Sequence, residues 1–351
     1  MDGQSGKITS AIFEQVILSR LGAKDPDVLV GPRHGVDVGV MRVGPGTVMA
    51  ITSDPVFIVP AYGWERAAWF AVHILASDAA TSGLPLRWMA VDLNLPPAVT
   101  DGEISALWQA FSQTCGDLGI AVVGGHTARY DGCNWPMAGG ATCMAVGAED
   151  SYVTPAMARP GDVVVVTKGA AIEATALFAA TFPDRLAQGV GAEVVEAADA
   201  LFEQMSVVPE CRMASGFGLR GEGVTSMHDA TEGGVLGGLI EVAAASGVGV
   251  RVELDAIPVR PEVRQVCGHV GIDPYTSISE GTLIATVVPG RAKEFVSRLA
   301  AQGTDAAVVG QVLDRGADSV LVTTQGERPL VHPGIDPFWA AFARWAQAAT
   351  S

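Results

Sequence analysis

Three observations predict an α+β fold of α/β-type layers, in two domains. The chain has 351 residues, more than one hydrophobic core usually serves. Short apolar runs of strand length alternate along it with longer segments of helical period. Pro155, Pro160 and Gly161 cluster between periodic segments at residues 152–162. That break sets an N-terminal domain at residues 1–154 against a C-terminal α/β domain at residues 155–345.

In the first half, Ile12, Val16 and Ile17 form a stripe on an opening helix that Leu21-Gly22 closes. Residues 35–43 read as a strand carrying Asp37, and 48–59 as a strand pair broken at Asp54-Pro55. A helix over 62–82 ends at Gly83, and a strand over 87–95 stops at Pro96-Pro97. Asp101 caps a helix whose Ile104, Leu107, Phe111 and Cys115 share one face. Residues 120–124 and 139–147 are short strands. The expected result is two or three helices on one face of a mainly antiparallel or mixed sheet.

The second half opens with an apolar strand at 163–167 and continues in long alanine-rich helices to about Met205. Residues 223–227 form a strand leading to His228-Asp229, and Gly233-Gly234 opens an apolar helix over 235–246. Strands at 248–254, 282–288, 306–312 and 319–323 and an amphipathic helix at 291–302 complete the sheet.

Composition narrows the function. A hydrophobic fraction of 49% supports a sizeable core, and 42 glycines with 20 prolines imply frequent turns. The net charge of -16 argues against a general nucleic-acid surface, which needs clustered Lys and Arg. No apolar run reaches the roughly 18 residues of a membrane span, and the first residues lack a signal-peptide pattern, so the expected location is cytoplasmic. Five scattered cysteines without a CxxC pair indicate neither a disulfide framework nor a zinc knuckle.

The chemistry-bearing pattern is a series of carboxylates at the ends of apolar runs: Asp37, Asp54, Asp78, Asp92 and Asp229. Oxygen ligands suit hard cations, and Mg²⁺ usually arrives with substrate phosphates. Gly124-Gly125-His126-Thr127 follows a strand and reads either as an amide nest for phosphate oxygens or as a tight turn. His228-Asp229-Ala230-Thr231-Glu232-Gly233-Gly234 brings two acids and a hydroxyl to a helix start, as site residues or as helix caps. Lys168 ends an apolar strand, as a phosphate ligand or a solvated strand end. Gly216, Gly218 and Gly221 spell GxGxxG in the wrong context, with a strand following instead of a helix. No Walker-type GxxxxGK[ST] is present.

As an ordered set these segments resemble the superfamily of aminoimidazole ribonucleotide synthetase, selenophosphate synthetase, thiamine-monophosphate kinase and HypE, with the HypE-like members most similar. The set comprises Gly6-Lys7-Ile8, Gly31-Pro32-Arg33-His34-Gly35-Val36-Asp37, Thr52-Ser53-Asp54-Pro55, Ser77-Asp78-Ala79-Ala80 and Gly124-Gly125-His126-Thr127. Thr167-Lys168-Gly169, the His228–Gly234 segment and Ser279-Glu280-Gly281-Thr282 follow in the same order. The resemblance implies a two-domain synthetase-type fold that dimerises by pairing N-terminal sheets into a barrel. It implies an ATP site without a P-loop, with Asp37, Asp54 and Asp78 on Mg²⁺ and Lys7, Lys168 and the Gly124, Gly125, His126 and Thr127 loop on the nucleotide. Asp229, His126 and Lys168 become the catalytic candidates.

The implied reaction is ATP-dependent phosphorylation of a carbonyl or amide oxygen of a small molecule or peptide. The alternatives are a small-molecule kinase and a non-catalytic nucleotide-binding protein that assembles with a protein partner. Departures from the pattern bear on which. No cysteine follows Cys267, against the thiocarbamate-dehydrating role of HypE, and none precedes Cys115, against selenophosphate synthesis. The Asp of the usual Gly-Gly-Asp-Thr is His126, and the first Asp of an Asp-Asp pair is Val36.

Overall fold

Residue alternation along one long strand organises the N-terminal sheet. In the computed structural model, which describes Ile8 and residues 10–349, Thr47–Phe57 forms a single strand with Val48, Ala50, Thr52 and Val56 buried on one face. It runs straight through Asp54-Pro55, where a break was expected. Its pairing with the preceding strand ends at Gly39↔Ile51, so Pro55 has no ladder bond to lose on that side.

Two units emerge, one of residues 27–31 and 37–152, the other of residues 153–349 with the segments before 27 and at 32–36. In chain order the first contains β1 (Val28–Val30), β2 (Gly39–Gly44), β3 (Thr47–Phe57), α2 (Trp64–Ala80), β4 (Leu86–Leu95), α3 (Asp101–Asp117), β5 (Ala121–Arg129) and β6 (Met137–Ala148). A short turn ahead of them, α1 (Ser10–Ile12), continues irregularly to Arg20 instead of forming the expected regular helix, and Ile12, Val16 and Ile17 stay exposed. Lys7 lies outside the described residues.

The six strands are ordered β1-β2-β3-β6-β4-β5, antiparallel except for the parallel pair β4 and β5. This is the mixed sheet the pattern implied. Helices α2 and α3 pack together, and α2 covers β3 and β6. The cap of α3 is Thr100, not Asp101: Thr100 Oγ1 accepts from the Glu103 amide at 3.2 Å while Glu103 Oε2 accepts from the Thr100 amide at 2.8 Å.

The second unit contains β7 (Val163–Thr167), α4 (Ile172–Thr181), α5 (Pro183–Val190), α6 (Ala192–Asp199), α7 (Val208–Phe217), β8 (Val224–Asp229), α8 (Gly234–Ser246), β9 (Val248–Glu253), α9 (Pro261–Val270), β10 (Leu283–Val287), α10 (Ala292–Ala301), β11 (Ala306–Arg315), β12 (Val320–Thr323), β13 (Gly326–Pro329) and α11 (Pro337–Ala349). Its sheet is ordered β13-β12-β9-β11-β7-β10-β8. The alanine-rich stretch forms three helices instead of long ones, because Pro183 and Gly191 (φ +90°) interrupt it. Neither α9 nor α11 was expected. The latter docks through Phe338, Phe342 and Trp345 on Phe178, with ring centroids 5.4–5.7 Å apart. Among the described residues no helix is long and apolar enough to cross a membrane.

Candidate active site

In the N-terminal unit the three carboxylates expected on Mg²⁺ lie in β3 (Asp54), in α2 (Asp78) and just ahead of β2 (Asp37). Asp54 lies on the same face of β3 as Thr52, two residues further along, and that face carries α2. Thr52 is 7% exposed, and its hydroxyl donates to Asp78 Oδ2 at 3.1 Å from near the C-terminus of α2. Asp37 leads into β2, whose first residue, Gly39, pairs with Ile51 just ahead of Thr52. Period-2 alternation and strand pairing thus deliver Asp54 and Asp78 to one face, with Asp37 at the neighbouring strand mouth.

Gly124-Gly125-His126-Thr127 is not a loop. It continues β5 as far as Arg129, in parallel register with Ala90, Val91, Asp92 and Leu93 of β4. A bulge between Met89 and Ala90 absorbs one residue, and Gly125 (φ +147°) fills a place where a Cβ would lie 1.7 Å from the Val91 carbonyl oxygen. The second glycine therefore serves strand contact, which neither reading of the motif anticipated. Gly125 and Asp54 stand in one row across β5-β4-β6-β3, three strand spacings or about 14 Å apart. His126 shares the opposite, open face with Asp92, and its Nε2 lies 2.8 Å from the Tyr130 hydroxyl. One N-terminal unit therefore does not bring His126 together with Asp54 and Asp78.

Sheet order gathers the C-terminal motifs. Strand β10 lies between β7 and β8 and antiparallel to both, so the ends of β7 and β8 meet the start of β10 at one edge. Thr282 Oγ1 donates to the Gly169 carbonyl at 2.7 Å, the Leu283 amide to Thr167 Oγ1 at 3.0 Å, and the Ala230 amide to the Thr282 carbonyl at 3.0 Å. Lys168 (φ +57°) and Ala171 (φ +52°) both adopt the left-handed conformation in the turn after β7, which stores strain there.

Lys168 itself is neither a phosphate ligand nor a solvated strand end. It is buried, with Nζ 2.9 Å from Glu210 Oε1 and donating to the carbonyls of Ser206 at 2.5 Å, Gly281 at 2.8 Å and Gln204 at 3.2 Å. An ammonium has three protons, and these partners take them all. The catalytic and nucleotide-binding roles expected of Lys168 give way to a structural clamp on the Gly281 loop.

Asp229 is fully buried at the end of β8. It belongs to an acidic group with Glu232, Asp336 and Glu173, the last accepting from the Glu280 amide at 3.0 Å. Burial pushes the Glu173 carboxyl up to about 8, and the charges of Asp336, Asp229 and Glu232 add to the rise. The start of α8 is not an open anion seat, because Asp336 Oδ2 accepts from the Gly233 amide at 2.8 Å.

Comparison with known families decides what these two units are. The AIR synthase related protein N-terminal domain matches residues 35–148, and the corresponding C-terminal domain matches residues 159–323. The chain belongs to the AIR synthase related family. A selenide, water dikinase of Citrifermentans bemidjiense is 26% identical over 91% of this chain and 95% of its own length. A carbamoyl dehydratase HypE of Rhizobium leguminosarum bv. viciae is 25% identical over 80% of this chain and 78% of its own length. A hydrogenase maturation protein HypE solved in complex with ATP has the same fold, with a TM-score of 0.65 and 20% identity over 96% of this chain and 98% of that one.

In this AIR synthase related chain Asp336 escaped notice in the sequence, and Asp92, noted among the five carboxylates, was given no site role. Asp92 lines a groove of about 300 Å³ on the open sheet face with Ser53, Gly125, Gly140 and Thr142, and Asn94 donates to its Oδ2 at 3.0 Å. Alternation over 87–95 carried that signal, since Asp92 and Asn94 fall between buried Val91, Leu93 and Leu95. Asp336 precedes Pro337, a pairing that marks a helix start. For Mg²⁺, the Asp54, Asp78 and Thr52 oxygens are donors of the right kind. Among the described residues no three His, Cys, Asp or Glu side chains form a metal cage. An ion held there would complete its shell with phosphate oxygens and water, as Mg²⁺ commonly does.

Proposed function

We propose that this chain is an ATP-dependent enzyme that phosphorylates a carbonyl or amide oxygen of a small molecule or peptide. The observation that carries the reading is the joining of Thr52 to Asp78 at 3.1 Å on the sheet face that also presents Asp54. Asp54 and Asp78 hold Mg²⁺, with Asp37 ahead of the neighbouring strand β2. Bound Mg²⁺ would supply charge neutralisation during phosphoryl transfer. The protein's part is positioning: in the N-terminal unit the two carboxylates fix the triphosphate, and in the C-terminal unit Asp229, at the edge where β7, β8 and β10 meet, is the catalytic candidate. An amide oxygen leaves poorly until it carries phosphate, and this gives the activation its use.

The N-terminal sheet, with Trp88 of β4, Val122 and Val123 of β5 and Met137 of β6 all exposed, supports association with a second copy of the chain. Such pairing would bring His126 and Asp92 of each copy toward the other. A kinase reading, in which phosphate stays on the product, is favoured by the selenide, water dikinase relative.

Calorimetric titration with ATP and Mg²⁺ tests the site. The wild-type chain binds, and Asp54→Asn and Asp78→Asn each bind at least tenfold more weakly without loss of fold; unchanged affinity in both overturns the assignment. Phosphate analysis after incubation with a metabolite extract separates the readings. Activation releases inorganic phosphate, whereas a kinase leaves it covalently attached.

A further inference from the structure

Between β13 and α11 the chain crosses the start of α8. A Cβ on Gly233 would lie 3.3 Å from Pro333 Cγ and 3.4 Å from His332 Cε1, and one on Gly237 would lie 3.4 Å from His332 Nε2. A side chain at Gly233 would press on the crossing, which would have to give by a few tenths of an ångström. The crossing ends at Asp336, which is 3% exposed.

The Asp336 carboxylate joins two segments and faces a third. Oδ1 accepts from the Phe338 amide at 2.8 Å, which caps the first turn of α11. Oδ2 accepts from the Gly233 amide at 2.8 Å, in the loop that carries Asp229 and Glu232. The Ile278 amide, immediately ahead of Ser279 and Glu280, is near enough to favour the ionised form of the same carboxylate. An ionised carboxylate offers an acceptor oxygen to each of the two amides; an amide side chain would turn an N–H toward one of them, and a hydroxyl would reach only its own helix.

We propose that Asp336 is a positioning residue for the active site, holding the 229–234 and 278–282 loops in one arrangement and making α11 part of the working unit. It acts through the backbone of those loops and touches no substrate. The inference rests on the proposed function in assigning work to Asp229, but the loop-holding itself is readable without any ligand. It assigns a role to a segment beyond residue 323, where the family match ends.

Asp336→Ser separates the two duties, because serine is a good helix cap yet too short to bridge to Gly233. Asp336→Asn keeps the shape and spoils one acceptor. Hydrogen–deuterium exchange on the full chain should show at least tenfold faster exchange at residues 230–237 and 278–283 in Asp336→Ser, with residues 338–347 as protected as in the wild type. In ATP turnover with Mg²⁺, followed as phosphate release, kcat should fall at least tenfold with the KM for ATP within twofold.

Unchanged exchange in both loops overturns the proposal, as does an activity loss that appears only when α11 also loses protection. Should Asp336→Ser not fold, Asp336→Asn carries the same comparison, with partial loosening expected and unchanged loops fatal. Absence of ATP binding by the wild-type chain would sink the proposed function and leave the exchange result to decide the loop-holding on its own.

Discussion

The Thr52 hydroxyl donates to Asp78 Oδ2 across 3.1 Å, tying the core-facing row of β3 to the C-terminal end of α2. Thr52→Val preserves shape and strand preference and deletes only the donor. A net hydrogen bond to a charged group contributes about 1.5–3 kcal/mol, and a partly solvated acceptor such as Asp78 recovers some of that from water. The expected outcome is a loss near the bottom of that range in urea unfolding, together with weaker Mg²⁺-dependent ATP binding by calorimetry. Equal ATP affinity in the variant would mean that Asp78 needs no orienting partner.

Lys168 and Glu210 form a buried pair, 2.9 Å apart, in which both side chains are less than a tenth exposed. Removing one member strands the other charge, which typically costs about 3–5 kcal/mol. Lys168→Met should therefore destabilise the chain by that order, and Lys168→Met with Glu210→Met should regain much of the loss. Chemical denaturation of the three proteins checks this. A stable Lys168→Met chain with impaired ATP binding would instead restore the phosphate-ligand reading.

The contrast between these two sites shows which features were legible in sequence. Thr52-Ser53-Asp54 reveals its faces through period-2 alternation, and the order of the acidic motifs survives in the fold. Lys168 looked like a strand-end cation because its partners lie 36 to 113 residues away in sequence, and no local pattern announces them. The same holds for Asp336, whose bond to Gly233 spans 103 residues. His126 was misplaced for another reason: a Gly-Gly pair signals a turn locally, but here β4 offers a parallel partner that keeps the chain extended.

Glu173 makes the stability of the C-terminal unit depend on pH. Its carboxyl is raised from an ordinary 4.5 to about 8, chiefly by burial. Between those values the folded chain holds a proton that the unfolded chain has released, so this group's contribution declines as pH rises from about 4.5 to about 8 and is flat beyond. Glu173→Gln keeps an oxygen for the Glu280 amide and cannot ionise. Relative to wild type, the variant should gain stability steadily between pH 5 and 8, read as urea midpoints at three pH values. A constant difference across that range would contradict the raised carboxyl.

The two glycines of Gly124-Gly125-His126-Thr127 should respond oppositely to alanine. Nothing lies within 4 Å of a Cβ at Gly124, so Gly124→Ala should change stability by no more than about 0.5 kcal/mol, as exposed substitutions usually do. At Gly125 the added carbon would meet the Val91 carbonyl oxygen at 1.7 Å, and φ is +147°. Neither can relax without opening the β4–β5 pairing, so Gly125→Ala should cost on the order of 2–4 kcal/mol. Because β5 is the sheet edge, the loss should appear as faster amide exchange at residues 121–129 before the rest of the sheet responds. Similar exchange in the two variants would show that the motif's second glycine is not what holds β5 in place.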